Sequence, residues 1–212
     1  FIESNGAQAT WFVPHNLGGL AELMGGKEEA VDKLNEQFET AEKLGFAAGN
    51  SHAQELHPEY RRVPINYGNQ PSIQTAFVFN QLDRPDLTQY WSRKVIGKVF
   101  NGLSPATGYN GDEDQGLMGS LAVLMKIGLF QMNGGTENDP IYELGSPIFD
   151  KIEISLHPYY YKGEKFSIKV KNNGQDQWSI KNARLDGEAL KGFSVKHSQL
   201  VKGGVMELGM GE

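Results

Sequence analysis

The spacing of apolar residues changes once along this chain, and that change limits what the chain can fold into. Up to about Gly145 apolar side chains recur every three or four residues, the period of a helix with one buried face. Beyond it come short β-branched or aromatic runs that partly alternate and are punctuated by Gly and Asn-Gly, the pattern of strands and tight turns. The chain therefore reads as mainly α with a β-rich C-terminal tail. The division is placed at residues 1–145 and 146–212, with the loop NGGTENDP leading into it.

Four segments carry the helical signal. In KEEAVDKLNEQFETAEKLG, Val31, Leu34, Phe38 and Ala41 share one side and Gly45 supplies a stop. Pro71 suits a first helical turn before SIQTAFVFNQL. Asp86 is an N-cap candidate for LTQYWSRKVIGKVFNG, where Leu87, Trp91, Val95 and Val99 line one side. QGLMGSLAVLMKIGLF is apolar enough to be expected buried on most faces. In the tail, IFDKIEISL, EKFSIKVKN, WSIKNARLD, FSVKHSQLV and GVMELGMG are expected to form antiparallel sheet.

The 212 residues suit one large domain, or one domain and a smaller one. Basic and acidic residues number 20 and 26 with no basic stripe, which argues against nucleic acid as a partner. No run approaches the roughly 20 apolar residues of a membrane-spanning helix. With no cysteine, this chain has no disulfide, thiol nucleophile or zinc–thiolate site. The opening FIESNGAQATWF is already dense in aromatic and polar side chains, and it reads as the interior of a longer protein.

Three polar linkers precede helical runs. IESNGAQATWFVPHN holds Glu3, Trp11 and His15; INYGNQPSIQ holds Asn69 and Gln70; GYNGDEDQG holds Asp112 and Asp114. Carboxylates on separate linkers match what glycoside hydrolysis requires, one as proton donor and one as base or nucleophile. Trp11 is a candidate stacking wall for a sugar. Each residue also has a plainer reading. Glu3 is a surface carboxylate, NGDEDQG a solvated turn whose Asp caps a helix, and His15 a packing or capping residue. Asn110, Asp112 and Asp114 alternate as in a calcium loop, but Gln115 stands where an EF-hand needs Gly and Leu121 where it needs Glu. An EF-hand is rejected. His52 and His57 fit no zinc spacing.

Read together, FIESNGAQATWFVPHN, YGNQPSIQ, GYNGDEDQGLMGS and LGSPIFDK resemble four ordered motifs of the calcium-dependent exo-α-mannosidases of glycoside hydrolase family 92: YxEGNxxxxTWFVPHD, HGNEPSHH, GxxGxxDxGxM and IGSPxFDK. The likeness runs through nearly the whole chain. It implies the C-terminal part of an (α/α)6 barrel over residues 1–145, followed by terminal strands. An N-terminal β-sandwich and the remaining barrel helices of the same protein would be its partners. It implies release of terminal α-mannose from glycans with inversion. By motif position Glu3 matches the general acid, and Asp112 and Asp114 the water-activating pair. It also implies a Ca2+ ion, with Asn69, Gln70 and Asp114 as candidates for its shell. Trp11, His15, Asn69 and Gln70 would contact the sugar. By family analogy the location is extracytoplasmic, the bacterial periplasm or cell surface.

The second motif departs from that pattern. Tyr67, Gln70, Ile73 and Gln74 stand where the family has His, Glu, His and His. A neutral amide is no base, and it binds a cation more weakly than a carboxylate does. The departures keep two alternatives open: a non-catalytic carbohydrate-binding protein on the same scaffold, and an exo-α-glycosidase for another sugar.

Overall fold

The computed structural model describes residues 4–47, 62–108 and 115–212. The chain divides into two compact units, Phe1–Val123 and Leu124–Glu212. Helices come first and strands follow, as the change of period predicts.

Among the described residues of the first unit the helices are α1 (Gly6–Thr10), α2 (Leu17–Leu23), α3 (Lys27–Lys43), α4 (Thr75–Gln81) and α5 (Pro85–Lys98); α6 (Leu117–Ile127) contains the point of division. The spacing of Val31, Leu34, Phe38 and Ala41 puts all four on one buried face of α3. Glu28 and Glu29 sit at its positive end and Lys43 at its negative end. Gly45, at φ 64°, takes the left-handed conformation that commonly ends a helix. A 3-10 turn over Gln70–Ser72 leads into α4, whose Thr75–Phe79 run is wholly buried.

Two helix expectations are corrected. Asp86 does not cap α5: Pro85 occupies the first helical position, where its fixed φ and missing N–H cost nothing, so Arg84 becomes the cap residue. Asp86 instead accepts two hydrogen bonds from Arg84, from Nε at 2.9 Å and Nη2 at 2.7 Å. Trp91, Val95 and Val99 are buried as expected, while Leu87 is half-buried. In α6, Met118, Leu121 and Met125 form a single buried stripe; Gly119, Ser120 and Val123 are exposed. The apolar content of α6 exceeds what the described residues cover.

An aromatic cluster fills this unit. Phe38 stacks on Trp91 at 5.0 Å and meets Phe79 at 5.6 Å, and Phe46 stands edge-on to Tyr67 at 6.1 Å. Buried indole N–H groups need acceptors. Trp91 Nε1 finds Asn35 Oδ1 at 2.8 Å, and Trp11 Nε1 finds Gln37 Oε1 at 2.6 Å.

The second unit holds two sheets. β1 (Leu129–Phe130), β2 (Ile141–Leu144) and β7 (Ser194–Lys196) form one, in the order β1-β2-β7. β3 (Lys151–Ser155), β4 (Lys165–Lys171), β5 (Ser179–Leu185), β6 (Glu188–Ala189) and β8 (Gly204–Gly211) form the other, in the order β3-β4-β8-β5-β6. Alternation decides the faces: Phe166, Ile168 and Val170 of β4 point inward while Lys165, Lys169 and Lys171 point out. Their core continues through Met206, Leu208 and Met210 of β8 to Leu144 and Val195 of the smaller sheet.

The tail is not purely antiparallel. β8 runs parallel to β4, from Phe166 opposite Gly204 to Lys171 opposite Gly209. A parallel neighbour needs a long crossover, and the chain between β4 and β8 supplies one. FSVKHSQLV is also only partly strand. At His197 it turns into α7 (His197–Leu200), where Asp139 accepts from Ser198 N at 2.9 Å and Ser198 Oγ at 2.8 Å. Two strands, β1 and β2, already precede Gly145.

The LGSPIFDK motif serves this architecture. Gly145 N donates to Gly128 O at 3.0 Å, and Ser146 Oγ to Trp178 O at 2.7 Å. Gly128 has φ 77°, and a Cβ there would stand 2.8 Å from Pro147 Cδ, so the bend after α6 requires glycine.

Candidate functional site

Two of the three polar linkers can be followed in the structure, and they are tied together. In the first, Asn5 caps α1: its Oδ1 accepts from Gln8 N at 3.0 Å. Asn5 Nδ2 and Gln8 Nε2 both donate to Val63 O, each at 2.9 Å. From the second linker, Gln74 Nε2 donates to Trp11 O at 3.3 Å and to Pro71 O at 3.1 Å. Helix α1, the end of the first linker and the approach to α4 thus share one set of amide hydrogen bonds.

The second linker is nearly all interior. Asn66 Oδ1 accepts from Gly68 N at 2.8 Å, and Ser72 Oγ accepts from Asn66 N at 3.0 Å. Asn69, 3% exposed, caps the 3-10 turn by accepting from Gln70 N at 2.8 Å. Tyr67 is fully buried; its OH accepts from Ala76 N at 3.1 Å, and its ring stands edge-on to Phe100. Burial pushes its phenol well above the ordinary range against the opposing pull of the Ala76 N–H, so it stays un-ionised at neutral pH. Among the described residues, two buried polar atoms here, Asn66 Nδ2 and Gln74 Oε1, find no hydrogen-bond partner.

The expected site residues fall into four groups. Asn69 and Gln70 sit side by side at the 3-10 turn, Asn69 buried and Gln70 half-buried. Trp11 is 1% exposed with its indole N–H on Gln37, so it is a packed core residue and offers no open face for a sugar to stack on. His15 is exposed, just before α2. Glu3, Asp112 and Asp114 lie outside the described residues, as do His52 and His57.

Among the described residues no group of three or more His, Asp or Glu side chains could hold a metal ion. The amide oxygens of Asn69 and Gln70 are hard donors of the kind calcium accepts, but they bring no charge. The donor chemistry fits a calcium shell that takes its negative charge from elsewhere. No described helix is long and apolar enough to cross a membrane.

Sequence reasoning did not foresee the Val63 carbonyl as a double acceptor. A backbone oxygen carries no side-chain signal; only the amides Asn5 and Gln8, three apart at a helix start, point toward such a partner.

The profile of the Glycosyl hydrolase family 92 catalytic domain matches residues 1–212. A curated relative, an uncharacterized secreted glycosidase of Arthroderma benhamiae, is 26% identical over 95% of this chain and 22% of its own length. The family GH92 inverting mannosidase BT2199 of Bacteroides thetaiotaomicron is 29% identical, with TM-score 0.77 over 99% of this chain and 28% of its own. The family GH92 α-mannosidase BT3965 of the same species, solved with mannoimidazole, shares the fold at TM-score 0.79 and 21% identity, over 98% of this chain and 25% of its own. The chain therefore spans about a quarter of the length of the proteins it resembles.

Proposed function

This chain belongs to glycosyl hydrolase family 92, and from that membership we propose that it is the C-terminal part of the catalytic region of an α-mannosidase that removes terminal α-linked mannose from glycans with inversion. The observation that carries the reading is the likeness to a solved inverting mannosidase over 99% of this chain at 29% identity. In this reading residues 1–145 belong to an (α/α)6 barrel whose other helices, with an N-terminal β-sandwich, lie elsewhere in the protein. The exposure of Leu23 (89%), Leu103 (97%) and Val123 (59%) in the first unit supports it, since such side chains are what further barrel helices would cover.

Glu3 is the proposed general acid. It protonates the leaving glycosidic oxygen, and for that its pKa must stay raised near neutral pH. Asp112 and Asp114 are the proposed base pair. They take a proton from a water that attacks the anomeric carbon from the opposite face, which requires carboxyl groups roughly 6.5–9.5 Å from the acid. Asn69, Gln70 and Asp114 would hold a calcium ion, which when bound supplies positive charge at the sugar hydroxyls and lets two neighbouring aspartates stay ionised. His15 is the proposed partner of a substrate hydroxyl, and its exposure just before α2 supports that role. The secreted description of the fungal relative supports a location outside the cytoplasm.

Proton NMR of the full-length protein with α-linked mannobioses and calcium tests this. Early β-mannose is the expected product. Early α-mannose would overturn the inverting roles, and no mannose at all would overturn the substrate.

A further inference from the structure

We infer that His157, Tyr159 and Tyr160 form an accessory binding platform for a neutral glycan chain on the second unit, built from residues that the proposed mechanism does not use. The choice of ligand rests on the glycan-directed function proposed above. Residues 156–164 join β3 to β4 and contain three consecutive tyrosines, in HPYYYKGE. One of them serves packing: Tyr161 is partly buried against the second unit's core, with its ring 5.8 Å from that of His197. The other two stand in solvent, Tyr159 82% and Tyr160 72% exposed. Their ring centroids are 5.0 Å apart with the planes at 86°, so the two faces form a corner. The His157 ring adds a third surface 5.4 Å from Tyr160. Neighbouring large rings left uncovered in this way mark a surface for recognition rather than for folding.

The loop that carries these rings is fixed. Leu156 N donates to Glu164 O at 2.9 Å and closes its base; Tyr160 N and Tyr161 N both donate to His157 O, at 3.0 and 3.1 Å. Gly163 lies so close to the Lys202–Gly203 backbone that a Cβ there would stand 2.4 Å from the Lys202 carbonyl carbon. Rings already held in place lose little freedom on binding. The chemistry of the platform selects the ligand. A pyranose offers a face of C–H bonds to an aromatic ring and hydroxyls at its rim to phenols and imidazole. His157 Nδ1 accepts from Tyr159 N at 3.2 Å, so the neutral ring carries its proton on Nε2 and has a donor to offer. Lys162 and Glu164 cancel in charge, which suits a neutral sugar better than a nucleic-acid backbone or an anionic lipid surface. Two tyrosines supply at most about 500 Å² of contact, short of the roughly 800 Å² per partner of a stable protein interface.

The test runs the full-length protein and its Tyr159→Ala/Tyr160→Ala variant through native gels containing a linear α-mannan, and compares their hydrolysis of that mannan and of an α-mannobiose. The parent should be retarded by mannan. The double variant should bind it at least about fivefold more weakly and show a KM for mannan raised in proportion. Its turnover of mannobiose, too short to reach a second site, should stay within about twofold of the parent's. A parent that mannan does not retard, a double variant retarded equally, or an equal loss on mannobiose overturns the inference. So does a fall in melting temperature of more than about 4 °C, which would show the rings packed against the rest of the protein. The proposed function is judged separately: failure to release mannose from either substrate overturns that reading, while retardation in the gel needs no turnover and still decides whether the platform binds.

Discussion

The phenolic oxygen of Tyr67 accepts the backbone N–H of Ala76 at 3.1 Å, inside a fully buried setting. Ala76 lies in the first turn of α4, where backbone N–H groups have no partner within the helix. A residue standing where the family motif it resembles has a histidine therefore serves here as a cap for a buried helix. Tyr67→Phe keeps the ring and its edge contacts with Phe46 and Phe100 but strands that N–H. Leaving a buried donor unsatisfied costs about 1–3 kcal/mol. Urea unfolding of the full-length protein should show a loss in that range with an unchanged m-value. A loss below about 0.5 kcal/mol would mean that water reaches Ala76 N.

Phe38 is the hub of the first unit's core, meeting Phe46, Phe79 and Trp91. Phe38→Ala should destabilise by about 3–5 kcal/mol, since the surrounding rings cannot all collapse into the space. Thermal unfolding followed by near-UV circular dichroism would show the loss of aromatic packing. An unchanged midpoint would contradict the stacking with Trp91.

Arg84 beside Asp86 holds that carboxyl below its usual range, through two hydrogen bonds and then Coulomb attraction, with partial desolvation opposing. A depressed carboxyl contributes stability that is present above its unfolded pKa, about 3.9, and is lost as pH falls through the lower folded value. The pair is largely exposed, so the contribution is less than about 1 kcal/mol. Asp86→Asn should lower stability slightly at pH 6 and converge with the parent protein as pH falls through the lowered folded value of Asp86. Equal stability of the two at pH 6 would show the pair to be neutral.

How much of this was legible beforehand depends on how local the cause is. The helix α3 was readable because Val31, Leu34, Phe38 and Ala41 carry their own period. β4 and β8 were readable from alternation, but their parallel pairing was not, since register between distant strands leaves no mark in either strand. Asp86 was misjudged as a cap because Pro85 outcompetes it one position earlier. Trp11 was expected at a sugar face and is packed inside, and the difference lies in Gln37, an acceptor 26 positions away. The family motifs were legible as patterns. The structure adds that LGSPIFDK is architectural and that the second motif's departures, Tyr67 and Gln74, have become part of the scaffold.

Gln70 offers the sharpest test of the proposed calcium shell. It is half-buried beside Asn69 and brings a neutral amide where the family motif it resembles has a glutamate. Calcium affinity rises with the number of charged ligands. If Gln70 belongs to the shell, Gln70→Glu should lower the calcium concentration that half-restores mannose release, after chelator treatment of the full-length protein, by about tenfold, or 1.4 kcal/mol. The fold should not change, because the side chain is partly open to solvent and the two groups are nearly isosteric. Chelation of the parent protein should abolish most turnover, and added calcium should restore it. An unchanged calcium midpoint in Gln70→Glu would remove Gln70 from the shell and leave Asn69 and Asp114 as its remaining candidates. A parent protein indifferent to chelation would remove the ion from the proposal altogether.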